Sequence, residues 1–460
     1  MSNDDIPADQ PADSPTTDTT ETAADGGAVA TEEPKSRFWG VVPTEWELVD
    51  GSEIYDVNPS YTPDEEEITY IEMDALDTDL PFPRYSKKRK AEDYSGKLFR
   101  KGDTLFARIT PCTENGKAAF VDEMETDVGI GSTEYAVLSP DRERIHPLYL
   151  YYVAKSHPVR NYAISRMRGS TGRQRVPFDV FRRELDVSLP PMEEQEQVIS
   201  VLFNIDKALK ASREIHSKLD RVQTGIEQDI FTNGLQSDGK IEETRGVEYP
   251  SDWKFEPLED HVITSAFGPR FNSNKYDSGG NIATLRTTDL DEGGRITYET
   301  MPVASLEFNE FEEHILKPGD FLITRSGTTG IGCVWKGHDF PTIPGAFLIR
   351  FRLENTLLPE YLRYYVNSTT GGSRVQRRAK GGVQKNLAGS DLLQMRFPIP
   401  PVEIQEQIIE ILSDLEERKI AEERYQNQLK KVRSGLMQDL MTGSVRSEGI
   451  EVTESVIKDE

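Results

Sequence analysis

The ten residues PPMEEQEQVI at positions 190–199 decide the organisation of this chain, because they return as PPVEIQEQII at 400–409. The offset of 210 residues continues without a gap as far as Thr232 and its counterpart Thr442. A period of this length is far too long for a solenoid, so each copy is expected to be a whole domain with its own helix. Two similar modules in one chain suit a protein that contacts one extended, quasi-symmetric object at two places.

After each Pro-Pro pair the sequence predicts a long amphipathic helix, over residues 192–233 and 402–442. Apolar residues shared by the two copies recur at spacings of three and four, which is the pattern of a coiled-coil stripe. About forty residues at a rise of about 1.5 Å give a rod of roughly 60 Å. A single long amphipathic helix is often only structural, but two matched helices after two matched domains favour an antiparallel pair.

The sequence ahead of each helix has the mixed pattern of an α and β domain. Gly-Asp turns at 102–103 and 319–320 precede strands that end on arginine, and Pro147 and Pro359 each begin a predicted short helix. We therefore predict an α+β fold with two globular mixed α/β domains. Each domain is followed by a long helix, the two helices pair as an antiparallel coiled coil, and the whole is a pseudo-two-fold tandem duplication.

The first 36 residues are rich in Thr, Ala, Asp and Pro and contain almost nothing to bury, so they are predicted to be disordered. The predicted segments are, in chain order, a disordered acidic tail at 1–36, a globular domain at 37–191, a helix at 192–233, a linker at 234–246, a second globular domain at 247–401, a second helix at 402–442 and a C-terminal tail at 443–460.

The formal charge of −26 is unusual for a protein that binds nucleic acid. Part of it is confined to the first 36 residues, which contain nine acids and only Lys35 as a base. The rest is spread over the chain. Such a pervasive acid excess resembles proteins of salt-loving organisms, in which salt screens the charge and the charge keeps the chain soluble. The alternative is an ordinary acidic protein with acidic partners.

Several classes of protein lack support in the sequence. No apolar run reaches the roughly 18 residues of a membrane span and no leader is recognisable, which predicts a cytoplasmic protein without membrane contact. Cys112 and Cys333 have no CxxC partner and the six histidines form no HExxH, so no disulfide or metal site is predicted. Phosphate-loop, methyltransferase and GxSxG motifs do not occur either, which favours a binding protein over an enzyme.

Two long stretches of this acidic chain contain neither Asp nor Glu, residues 144–178 and 361–390. Both contain several arginines and include a glycine-rich loop with Arg, Lys and Gln, and cations without competing carboxylates are what a phosphate backbone requires. Glycines allow backbone N–H groups to approach phosphates, and Arg and Gln can donate paired hydrogen bonds to base edges. The alternative is a pair of exposed loops that bind nothing.

Three further arginines, two of them at strand ends, complete the candidate set, although the strand-end arginines could instead pair with a nearby carboxylate. No catalytic or metal-binding residue is assigned. The candidate DNA-binding residues are Arg108, Arg166, Arg168, Arg173, Gln174, Arg175, Arg286, Arg325, Arg374, Arg377, Arg378, Lys380, Gln384 and Lys385.

Taken together, these features resemble the specificity (S) subunit of Type I restriction-modification systems, in an acidic, haloarchaeal-like form. The resemblance rests on the Pro-x-acid-Trp start of each module, the Gly-Asp turns, Pro-Pro-x-x-x-Gln-Glu-Gln before each long helix and the closing LMTGSVR at 440–446. It covers about 37–446. The first copy departs from the pattern at its end, where FTNG at 231–234 replaces Met-Thr-Gly.

The resemblance implies that the two globular parts are target-recognition domains, each of which recognises half of a bipartite, asymmetric site in double-stranded DNA. The helices would set the distance between the halves and dock two modification (methyltransferase) subunits, and restriction (endonuclease and translocase) subunits would join them. The chain itself would be non-catalytic and without a cofactor, with S-adenosylmethionine, ATP and Mg on the partner subunits. The alternatives are a fused restriction-methylation enzyme with an unrecognised catalytic part, and a coiled-coil adaptor that does not contact DNA.

Overall fold

A computed structural model of the chain describes residues 35–93, 95–170, 172–235, 240–379 and 386–447. The predicted disordered tail lies outside the described residues as far as residue 34, but its last two residues, Lys35 and Ser36, form a short strand. The described chain divides into two compact units. The first unit contains the described residues up to residue 73, together with 86–198 and 438–447. The second unit contains the described residues within 74–85 and 199–437.

The elements of the first unit are β1 Lys35–Ser36, β2 Gly40–Val41, β3 Glu47–Asp50, β4 Tyr55–Val57, β5 Glu67–Ile71, β6 Lys87–Lys90, β7 Lys97–Phe99, β8 Thr104–Ala107, β9 Ala118–Phe120, β10 Gly129–Gly131, β11 Tyr135–Pro140, α1 Pro147–Lys155, α2 His157–Ser165, α3 Phe178–Arg183 and β12 Asp186–Leu189. The unit is built on a four-stranded sheet in the order β4-β11-β8-β9 and a second sheet in the order β6-β5-β10-β7, with the short pairs β12-β3 and β1-β2.

Helix α1 fixes the position of strand β8, at whose end Arg108 lies. The helix begins at Pro147, where a missing N–H costs nothing, and Nδ1 of His146 accepts a hydrogen bond from the Leu148 N–H at 3.2 Å. Every residue of α1 is buried, and the helix packs against β8, β9 and β11. The short helix predicted at Pro147 is therefore confirmed, and its packing makes the strand end rigid.

The remaining elements of the chain are α4 Met192–Asn233, β13 Ile241–Thr244, β14 Val247–Pro250, β15 Lys254–Pro257, β16 Val262–Phe267, β17 Ile282–Leu285, β18 Val303–Ala304, α5 Phe308–Phe311, β19 Phe321–Thr324, β20 Gly332–Val334, β21 Thr342–Pro344, β22 Leu348–Leu353, α6 Pro359–Asn367, α7 Thr369–Arg378, α8 Gly389–Leu393, β23 Arg396–Ile399 and α9 Val402–Thr442. The second unit repeats the design of the first. Its sheet in the order β16-β22-β19-β20 matches β4-β11-β8-β9 strand for strand, and it also contains a three-stranded sheet β18-β17-β21 and the pairs β15-β23 and β13-β14.

The long helices α4 and α9 pair in an antiparallel arrangement, as the sequence predicts. Asp206 near the start of α4 forms an ion pair with Arg433 near the end of α9, with 2.6 Å between Oδ1 and Nε. Further along α4, Asp220 pairs with Lys419, which comes earlier in α9, at 2.6 Å. Because positions that rise along one helix meet positions that fall along the other, the two helices run in opposite directions.

The glutamine in the repeated Pro-Pro motif has the same structural role in both copies. The buried Gln195 side chain accepts a hydrogen bond from the His146 N–H at 2.8 Å and donates one to the Pro190 carbonyl at 3.0 Å. Gln405 does the same with the Leu358 N–H at 2.8 Å and the Pro400 carbonyl at 2.9 Å. Each glutamine thereby joins the start of its long helix to the start of a domain helix, which accounts for its presence in both copies.

Two segments predicted as linker and tail contain ordered structure. Strand β13 lies inside the segment 234–246 and pairs with β14 to form a hairpin. In the C-terminal segment, the Arg446 guanidinium donates hydrogen bonds to both carboxylate oxygens of Glu194 at 2.8 and 2.9 Å and pairs with Glu45 at 3.0 Å. Hydrogen bonds from Arg446 and Trp46 to the Glu194 carboxylate outweigh its burial and lower the pKa of Glu194.

Candidate nucleic-acid interface

The end of strand β8 in the first unit carries a compact group of charged and aromatic side chains. Arg108 lies 4.0 Å from the centroid of the Phe178 ring and 3.7 Å from the Glu134 carboxylate. Arg175 donates to both oxygens of the same carboxylate, with Nε at 2.9 Å from each and Nη2 at 2.7 Å from one. Hydrogen bonds from Arg175 hold the pKa of Glu134 below its usual value of 4.5, so one carboxylate partly neutralises two arginines.

The loop after helix α2 places its remaining cations at the surface. Arg168 and Arg175 exchange backbone hydrogen bonds of 2.9 Å, and the Thr110 N–H donates to the Gln174 carbonyl at 3.0 Å, so the loop is attached to the end of β8. Arg168 and Arg173 are exposed, and within the described residues neither side chain has an ion pair. These two arginines present their full charge to the solvent.

Arg166, in contrast, is paired within the first unit. Its Nε lies 2.9 Å from Oε2 of Glu184 and its Nη2 lies 3.2 Å from Oε1. Hydrogen bonds from Tyr162 and Arg166 hold the pKa of Glu184 below 4.5. Arg166 is therefore partly neutralised, although its side chain is still exposed enough to contact a ligand with its other N–H groups.

The equivalent strand end in the second unit has a different chemistry. Arg325 follows β19, its guanidinium lies 4.6 Å from the centroid of the Phe267 ring, and its Nε donates to Oδ1 of Asn386 at 3.2 Å. No carboxylate pairs with Arg325 within the described residues. Phe347, whose carbonyl accepts from the Arg325 N–H at 2.8 Å, has an exposed side chain.

Arg286 lies at the end of β17 and pairs with a fully buried carboxylate. Its Nη2 is 2.8 Å from Oδ1 of Asp289, and a second hydrogen bond of 2.8 Å goes to the Thr300 carbonyl. The hydrogen bond that Arg286 donates to Asp289 raises the pKa of Arg286 above its usual value, so the guanidinium is charged at every accessible pH. This arginine is held in one orientation by the backbone around it.

Helix α7 places arginines around a pocket of about 180 Å³. Arg374 is fixed by hydrogen bonds to the Tyr365 hydroxyl at 2.6 Å and the Arg396 carbonyl at 2.7 Å. The arginines that line the pocket are Arg245, Arg374, Arg377, Arg378 and Arg396. No carboxylate is among the described residues that line it, so the pocket is a place where anionic oxygens would be strongly attracted.

Sequence reasoning missed Arg245 and Arg396, since both lie outside the acid-free windows. Arg245 is one of the few non-glycine residues of the described chain with a positive φ, at 56°, and it precedes Gly246 in the turn of the β13-β14 hairpin. An Arg-Gly dipeptide between two short strands is the signal that could have identified this turn. Three of the candidate residues, Lys380, Gln384 and Lys385, lie outside the described residues.

The described part of the chain shows no group of His, Cys, Asp or Glu side chains arranged to hold a metal ion. Nor is any helix in that part long and apolar enough to span a membrane.

The sequence model of the family described as Type I restriction modification DNA specificity domain matches residues 43–221 and 250–431, most of the chain and once for each copy. The chain belongs to this family. The Type I restriction enzyme EcoEI specificity subunit of Escherichia coli is 31% identical, over 81% of this chain and 78% of its own length. The MjaVIII specificity subunit of Methanocaldococcus jannaschii is 24% identical, over 69% of this chain and 75% of its own.

Solved structures agree with this assignment at the level of the fold. A chain from a structural study of assembly and conformational transition in the type I R-M system superposes with a TM-score of 0.54 at 20% identity, over 88% of this chain and 99% of that one. The Type-I restriction-modification S subunit from M. genitalium gives a TM-score of 0.53 at 13% identity, over 86% of this chain and 96% of its own. The predicted family and the predicted fold of two domains with paired long helices are confirmed.

Proposed function

We propose that this S subunit is non-catalytic and directs a type I restriction-modification complex to a bipartite, asymmetric site in double-stranded DNA. Each target-recognition domain, at 37–191 and 247–401, would contact one half of the site. The main support is that both copies present an arginine at the end of the equivalent strand, after β8 and after β19, and that each copy carries further arginines in its acid-free segment. This concentration of cations occurs in a chain whose formal charge is −26.

The uneven distribution of charge favours one orientation on DNA. An acidic surface repels the phosphate backbone, whereas arginines without carboxylate partners attract it. Arg168, Arg173, Arg377 and Arg378 are exposed and have no ion pair within the described residues, so we assign them to phosphates. Their contacts would position the protein without selecting a sequence.

The other candidates would act with less net charge or from a fixed orientation. Three of them form an ion pair with a carboxylate of the protein, which weakens their attraction to phosphate but leaves them well oriented; these are Arg166, Arg175 and Arg286. A guanidinium that is already oriented loses little entropy when it donates to a base edge. Arg108, Gln174, Arg325 and Arg374, together with the undescribed Lys380, Gln384 and Lys385, remain in the proposed interface.

The paired helices α4 and α9 would set the distance between the half-sites and dock two modification subunits, with restriction subunits joining that assembly. The chemistry would then reside in the partners, with S-adenosylmethionine used for methyl transfer and ATP and Mg for translocation and cleavage. The family membership supports this division of labour, and we propose no cofactor for the chain itself.

DNA binding by purified components tests the proposal. The methylated site is first mapped by sequencing the host genome, and fluorescence anisotropy then compares a duplex carrying that site with a scrambled duplex. The complex with modification subunits is expected to prefer the mapped site by roughly 10³-fold or more, and modification subunits alone are expected to show no preference. Equal affinity of the complex for both duplexes would contradict the proposal.

A further inference from the structure

Two exposed phenylalanines lie together at one end of the β16-β22-β19-β20 sheet of the second unit. The side chains of Phe267 and Phe347 are 46% and 55% exposed. Phe267, the last residue of β16, is paired with Ile349 in β22, and the Gly268 N–H donates to the Leu348 carbonyl at 3.0 Å. Phe347 therefore precedes Ile349, the residue opposite Phe267, by two positions, and it lies at the same end of the sheet. This end of the sheet is called the edge below.

Arg325 adds a cation to this edge. Its backbone N–H donates to the Phe347 carbonyl, and its guanidinium lies over the Phe267 ring at 4.6 Å. An aromatic ring under a guanidinium restricts the plane of the group while leaving its outer N–H groups available for a planar acceptor. The edge thus combines an oriented cation with apolar surface.

The first unit shows what the same backbone does with other side chains. There the Arg108 N–H donates to the Glu134 carbonyl at 3.0 Å, so Glu134 takes the place of Phe347. The carboxylate of Glu134 pairs with Arg108, whose side chain is only 14% exposed. In the first unit the arginine at the strand end is therefore paired with a carboxylate. In the second unit Arg325 is half-buried, has no carboxylate partner among the described residues and lies beside two exposed phenylalanines.

A glycine makes the second arrangement possible. Phe178, which covers Arg108 in the first unit, begins helix α3, and Gly389 begins the corresponding helix α8. A Cβ added at Gly389 would lie 3.2 Å from the ζ carbon of Phe267, so the absent side chain leaves room for that ring. The aromatic partner of the arginine comes from different elements in the two units.

We propose that Phe267, Arg325 and Phe347 form a base-reading element of the second domain, an inference that rests on the proposed function. Arg325 donates to O6 and N7 of a guanine in the major groove, and Phe347 packs against the C5-methyl group of a neighbouring thymine. Guanine is the preferred base for a paired arginine contact, and the thymine methyl is the apolar feature of the groove. Phe267 orients the guanidinium.

Modified duplexes test these contacts one atom at a time, using the complex with modification subunits and the mapped site. Within the half-site of the second domain, each guanine is replaced by 7-deazaguanine and each thymine by deoxyuridine. One 7-deazaguanine is expected to weaken wild-type binding by about 5-fold or more, within the roughly 5- to 150-fold range of a paired contact. One deoxyuridine is expected to weaken it by about fourfold, the effect of one buried methyl group.

The variants locate these effects on the protein. In Arg325→Met, which keeps a long side chain but donates no hydrogen bond, the 7-deazaguanine penalty is expected to disappear, and in Phe347→Ala the deoxyuridine penalty is expected to disappear. Phe340→Ala is the matched control, since the Phe340 side chain is also exposed, at 46% against 55% for Phe347. Phe340 lies between β20 and β21, beyond the opposite end of β19. The control variant is expected to retain both penalties, and thermal melts check that all variants fold.

The inference is overturned if the 7-deazaguanine penalty persists unchanged in Arg325→Met and the deoxyuridine penalty persists unchanged in Phe347→Ala while the wild-type complex still prefers its site. It is equally overturned if Phe347→Ala fails to co-purify with the modification subunits, since the edge would then be a protein contact. Failure of the proposed function looks different, because the wild-type complex would then show no preference for the mapped site at all.

Discussion

Replacing Arg377 and Arg378 by alanine is expected to weaken DNA binding in a way that salt reveals. Both arginines lie in the last turn of α7, line the arginine pocket and are exposed. Each phosphate contact releases counterions and contributes a slope of about −0.9 to the dependence of log K on log salt concentration. Loss of two contacts should flatten that slope by about 1.8.

The corresponding change in affinity is large enough to measure. Between 50 and 200 mM KCl, a range of about fourfold, each contact makes the affinity fall by an additional factor of about 3.5. Over this range of salt, the fall in affinity of the double variant should therefore be about 12-fold smaller than that of the wild type. The loss should be similar for specific and scrambled duplexes, because phosphate contacts carry no sequence information.

Fluorescence anisotropy of the complex with modification subunits, titrated at four or five salt concentrations, gives the slope directly. The matched control replaces Arg100 and Arg142, two exposed arginines of the first unit outside the proposed interface, and changes the net charge by the same amount. The control is expected to keep the wild-type slope. A double variant of Arg377 and Arg378 with the wild-type slope and affinity would show that the pocket does not contact DNA.

Three further predictions concern stability. Burial raises the pKa of Asp103 from its usual 3.8 to about 6. Between these values the folded state binds more protons than the unfolded state, so the free energy of unfolding should fall as the pH rises through that window. Urea melts of Asp103→Asn should lack this component, and an unchanged pH slope would contradict it. Arg446→Met leaves the buried Glu194 carboxylate without its main partner, so unfolding should be easier by about 2 kcal/mol, whereas unaltered melts would show that the pair contributes nothing. The acid excess predicts a melting temperature that rises from low salt to molar KCl, and a flat dependence would remove the halophile interpretation.

The duplication and the long helices could be predicted because their signals are local in sequence. The offset of 210 residues is ungapped through the helices, and apolar spacing alone determines which helix face is buried. Strand β13 was harder to foresee, since the sequence IEET at 241–244 has no alternation of apolar and polar residues. Its formation depends on pairing with β14.

The details of the interface depend on which strands are neighbours, which the sequence does not reveal. A window without acids shows only that no carboxylate is near an arginine in the sequence; it does not show that none is near it in space. Glu134 and Glu184 lie just outside the window 144–178, yet the fold brings them to Arg175 and Arg166. The exposed position of Phe347 likewise follows from sheet register, because its spacing in the sequence is that of a core residue.

Exchange of the second domain tests the central claim most directly. Residues 247–401 are replaced by the corresponding domain of another S subunit, and the methylated sites of the host are mapped by sequencing. The account predicts that one half of the bipartite site changes to that of the donor while the other half is retained. A site in which both halves change, or in which neither half changes while methylation continues, would contradict it.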